Sequence, residues 1–138
     1  MKTFRLEVEI WKDSCWLVWP VNRKQAEEWY FKTFEKPEID DLEALDNRGA
    51  LSVMGKHHII FLTDWNNDAE WFGMLAHECT HIASSILRTC EVTEAEGTEE
   101  ALAYTIDYLM CHFTSALTDT QIKQTGEDQS DGARSVEE

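Results

Sequence analysis

Residues 71–87, WFGMLAHECTHIASSIL, constrain this chain more than any other stretch. On a wheel of about 100° per residue, Phe72, Leu75, Cys79, Ile82, Ala83 and Ile86 gather on one side, the stripe of a half-buried helix. His77 and His81 fall nearly opposite that stripe, so they are not core histidines. Four positions apart on a helix, they stand one above the other and can offer two imidazole nitrogens to one ion. Glu78 lies about 100° further round and can reach a water held by that ion without being a ligand itself. His77-Glu78-Cys79-Thr80-His81 is thus an HExxH pattern, a zinc site in outline. The bland alternative is a solvated helix face with two incidental histidines.

At 138 residues, the chain is read as one domain. Its 43% hydrophobic content, with six Trp, three Tyr and six Phe, is that of a globular protein. A net charge of -15 leaves no basic patch for phosphates, which argues against nucleic acid and against an anionic membrane surface as partners. No run approaches the length of a membrane span, and residues 1–4 open directly into a strand-like pattern, so no signal peptide is expected. Cys15, Cys79, Cys90 and Cys111 show no CxxC spacing and read as free thiols, which suits a reducing cytoplasm.

Taken in order, residues 4–11 alternate as a half-buried strand and residues 15–19 form a second, giving an opening hairpin. Asn22 with Gln25 resembles a capping box ahead of an amphipathic helix bearing Ala26, Trp29 and Phe34. Residues 35–48 are acidic and read as a loop or short helix; residues 50–63 form a hydrophobic hairpin turning at Gly55. Asn67 and Glu70 resemble a second capping box before the HExxH helix. Thr98 is the expected N-cap of a last long helix, residues 99–116, with Leu102, Ile106, Leu109 and Phe113 on its apolar face. Residues 1–118 make up the domain, and 119–138, polar and without aromatics, are expected to be a disordered acidic tail.

From His81 to Glu100 there are 18 intervening residues, and Glu100-Ala101-Leu102-Ala103 follows an E-x-x-A pattern. With the HExxH segment, this resembles the gluzincin group of zincin metallopeptidases over residues 50–111. It also resembles, through EEALAY and the short acidic chain, small HExxH proteins of tailed phages. The resemblance implies a minimal zincin-like α+β fold, a small mixed sheet packed with about three helices. It implies Zn2+ held by His77, His81 and Glu100, with Glu78 as general base, acting on a peptide or protein substrate paired to an edge strand within residues 50–63. The chain departs from some gluzincins in placing Tyr104, not Asp, four residues after Glu100; Asp107 is the nearest substitute.

Two assignments stay open within the residues themselves. Glu99 falls on the apolar face of the last helix and Glu100 on its polar margin, and the resemblance favours Glu100 as the zinc ligand. For oxyanion stabilisation, Tyr104 is preferred for its position one turn from Glu100, ahead of Tyr108, His112, His57 and His58. Two rival functions are a zincin-like protein whose metal is only a clamp for protein binding, and an acidic decoy that mimics nucleic acid.

Overall fold

The structure is a computed structural model that describes residues 1–35, 39–92, 98–124 and 135–137. β1 (Lys2–Val8) and β2 (Asp13–Trp19) pair antiparallel from Lys2 opposite Trp19 to Val8 opposite Asp13, which is the expected opening hairpin. The first strand stops at Val8 rather than Trp11, because a 3-10 turn (Glu9–Trp11) closes on Lys12, at φ 52°, and sends Ile10 into solvent. α1 (Arg23–Phe34) starts at the expected capping box, with the Asn22 side chain accepting from the Gln25 N–H and the Gln25 side chain accepting from the Asn22 N–H.

α2 (Glu43–Arg48) occupies the end of the acidic stretch and stops at Gly49, whose φ of 79° is left-handed. The Gly49 carbonyl accepts from the Thr63 N–H at 2.9 Å, which ties the junction after α2 to the end of the following hairpin. That hairpin is β3 (Ala50–Val53) and β4 (Ile59–Leu62). α3 (Ala69–Thr89) carries the HExxH segment. Its cap is Asp68, whose side chain takes the Trp71 N–H; Asn67, expected in that place, instead accepts from the Trp65 indole. α4 (Thr98–Gln124) follows, and β5 (Ser135–Glu137) pairs with β1. The domain boundary expected at 118 therefore falls inside α4; of residues 119–138, 125–134 and 138 lie outside the described residues.

The sheet order is β3-β4-β2-β1-β5, with β2 and β4 parallel and every other pair antiparallel. All four side chains of β4 are apolar and buried because both faces of the sheet are covered. Ile60 and Leu62 join Leu6 and Leu17 beneath Leu75, Cys79 and Ile82 of α3 and Leu109 and Phe113 of α4. Ile59 and Phe61 point the other way, against Trp29 of α1 and Leu45 of α2. The fold is α+β with a small mixed sheet, as expected, and among the described residues has four α-helices where about three were expected.

Polar ties fix α3 and α4 over this sheet. Buried His58, just before β4, meets Ser85 of α3 through Nε2 and Oγ at 2.9 Å, with Asp13 Oδ1 3.5 Å from its Nδ1. Trp11 donates its indole N–H to Thr105 of α4 and accepts from Cys90 Sγ through its carbonyl. All four cysteines are free thiols.

Candidate metal centre

Burial of the apolar stripe of α3 leaves His77 and His81 exposed on its flank. Their rings stand nearly perpendicular, at 79°, and their Nε2 atoms are 3.2 Å apart. Two bare imidazole lone pairs repel at that range, so either one ring donates its N–H to the other or both turn toward a shared cation. A tetrahedral zinc with bonds of about 2.0–2.1 Å spaces two nitrogens about 3.3 Å apart, so the separation of the pair matches that of two ligands on such an ion. Glu78 completes the group: the ligand atoms of His77, Glu78 and His81 all lie within 4.8 Å of one another.

Glu78 is 4% exposed although it is a carboxylate. Its Oε2 accepts from Ser52 Oγ at 2.8 Å, a bond that joins α3 to β3 and compensates part of the burial. β3 is an edge strand of the sheet. Two cavities lie along this edge. One of about 560 Å³ is lined by Asn47, Arg48, Ala50, Met74, His77 and Glu78 among others. The other, of about 170 Å³, takes Asp41, Arg48, Ser52, Met54, Glu78 and His81. Together they make a groove with β3 and α2 on one wall and α3 on the other.

The remaining residues singled out in the sequence lie elsewhere. Glu99 and Glu100 are both exposed in the first turn of α4, and neither belongs to the His77-Glu78-His81 group. Trp11 contacts both Thr105 of α4 and Cys90 at the far end of α3. Cys90 is nine residues, roughly 13 Å of helix, beyond His81. The structure therefore does not bring Glu100 to the histidines. Tyr104 is 55% exposed on α4 and lines neither cavity of the groove. Tyr108 donates to the Glu7 carbonyl and stacks beside His112, over β1. His57 and His58 precede β4 rather than lying in a strand, and they have different surroundings: His57 stacks on Phe34 at 3.9 Å, while His58 is buried against Ser85.

Ser52, Arg48 and Asp41 are groove residues that sequence reasoning did not single out. For Ser52 the signal was the expectation that the hairpin of residues 50–63 flanks the site; Arg48 and Asp41 lie before that hairpin and had none. Cys79, inside the motif, faces the core; burial, with a smaller push from the Glu78 charge, raises its thiol to about 12. It stays protonated at neutral pH and offers no thiolate to a metal. Comparison of the chain with protein-family models, with curated proteins and with solved structures finds no match. What the geometry defines is a His-Glu-His group on one helix, able to hold a metal ion. No helix among the described residues is long and apolar enough to cross a membrane.

Proposed function

We propose that this protein is a zinc-dependent metallopeptidase acting on an extended peptide segment. The observation that carries the reading is the Nε2 pair 3.2 Å apart with a buried carboxylate beside it. His77 and His81 hold the zinc. When bound, it supplies a Lewis acid and a water whose pKa is lowered to about 7. Glu78 accepts the proton of the attacking water and passes it to the leaving amine. Ser52 orients that carboxylate by holding Oε2, which leaves Oε1 for the proton. Edge strand β3 offers backbone groups on its open side, with which an extended substrate pairs.

A catalytic zinc needs a third protein ligand. Glu100 is favoured by spacing, but Asp41, which like Glu100 stands outside the His77-Glu78-His81 group, is the carboxylate that shares a cavity with His81 and Glu78, and it makes no side-chain hydrogen bond or ion pair among the described residues. The shared cavity supports Asp41. The reading is tested by metal analysis of the purified protein with and without chelator, together with cleavage of a mixture of internally quenched peptides. Glu78→Gln is expected to keep its zinc and lose turnover. Metal-free protein that gains no thermal stability from added zinc would sink the proposal, since a ligand of the folded state must raise apparent stability. Zinc binding without turnover would reduce it to a metal-clamped binding protein.

A further inference from the structure

The two cavities of the groove share only two residues, Glu78 and Arg48. Both therefore border the passage between the cavities, Glu78 from the α3 wall and Arg48 from the last turn of α2. Among the described residues, Arg48 is the only Lys or Arg lining either cavity, and its side chain makes no hydrogen bond or ion pair. That is unexpected in a chain with 27 acidic residues against 12 basic ones, where a neighbouring carboxylate is easily found. The nearest in sequence, Asp46, is engaged by Arg23 at 3.5 Å. A cation in the last turn of a helix is favoured by the helix dipole, which explains its residue type but not its place at the passage shared with Glu78.

We propose that Arg48 is the oxyanion-stabilising catalytic residue of this site, a role that rests on the peptidase reading above. Water attacks the peptide carbonyl from the Glu78 side: a C–O bond forms, the carbonyl π pair moves onto oxygen, and Glu78 takes the proton. The negative charge develops on the carbonyl oxygen, facing the opposite wall, where the planar guanidinium offers it N–H donors and keeps its own proton. Collapse of the tetrahedral species re-forms the carbonyl, breaks the C–N bond and delivers the Glu78 proton to the leaving nitrogen. Tyr104, which lines neither cavity, has no part in this step.

The test uses the zinc-loaded full chain with the quenched peptides and, by calorimetry, a phosphinic peptide as a stable tetrahedral mimic. Arg48→Met, uncharged but of similar length, is expected to lower kcat by about 10²–10³-fold with little change in KM. It should weaken phosphinic-peptide binding by a comparable factor, while zinc affinity by chelator competition and the Tm stay unchanged; Arg48→Lys recovers part of the loss. Unchanged turnover in Arg48→Met, or a loss confined to KM, overturns the role. If the unaltered protein binds no zinc, the peptidase reading falls and this one with it. Zinc binding and peptide turnover that are indifferent to Arg48→Met remove Arg48 alone.

Discussion

Glu78 is held at one oxygen and left free at the other, and the consequences of that can be measured. Ser52→Ala removes the donor to Oε2 without altering either histidine. Loss of an orienting partner of this kind typically costs about 10–100-fold in activity, so turnover is expected to fall by that factor with zinc affinity nearly intact. Equal turnover in Ser52→Ala would show that the carboxylate is oriented by its burial alone. A second pair of variants addresses the missing ligand: Asp41→Asn is expected to weaken zinc binding at least tenfold and Glu100→Gln to leave it unchanged, both by chelator competition. The reverse result would require α4 to reach the histidines by a path other than the one described. The HExxH group was legible because its geometry is set within five consecutive residues by helix periodicity alone. Ser52 and Arg48 were not, since Ser52 reaches Glu78 from 26 positions earlier and Arg48 lines the same cavities from 30 positions earlier. The count of 18 residues to Glu100 likewise measures chain length and says nothing of the direction the chain takes.

Among the elements, α3 matters most, and it is tied to the chain just before β4 by a buried histidine. Burial lowers the pKa of His58 from its usual 6.5, with Asp13 opposing the shift. The folded protein therefore prefers neutral His58, whereas the unfolded chain takes up a proton near 6.5. Its contribution to stability is full above pH 6.5 and declines as the pH falls below that value toward the folded pKa. In His58→Gln, which can still meet Ser85, the Tm should fall less steeply over that window than in the unaltered protein; parallel curves would mean that His58 does not titrate differently on folding. Helices and strands were mostly readable from period and caps, down to the Asn22 box. The departures have local causes: a 3-10 turn ended β1 early, and Asp68 displaced Asn67 because the Trp65 indole claimed the latter. The two-sided burial of β4 was less legible, because a run of four apolar residues fits a strand covered on one face or on both.

For the whole molecule, two helical layers clamp one sheet, and the groove opens where the layers fail to meet, beyond edge strand β3. Arg48 belongs to the layer under one face of the sheet and Glu78 to the layer over the other. Their separation is therefore not a property of either helix. It is set where α2 passes into β3, at Gly49, whose φ of 79° suits a residue without a side chain and where an added Cβ would come within 3.0 Å of Thr63 Oγ1. Gly49→Ala should cost about 1 kcal/mol or more from the backbone alone, read as a lower Tm, and should also lower turnover with zinc affinity unchanged. A Tm loss with turnover intact would mean that the junction is only structural. If both fall, the aperture of the groove is governed by one peptide unit that touches neither metal nor substrate. Specificity in such a protein could then be retuned by changing the angle between two layers, with every residue that contacts the substrate left as it is.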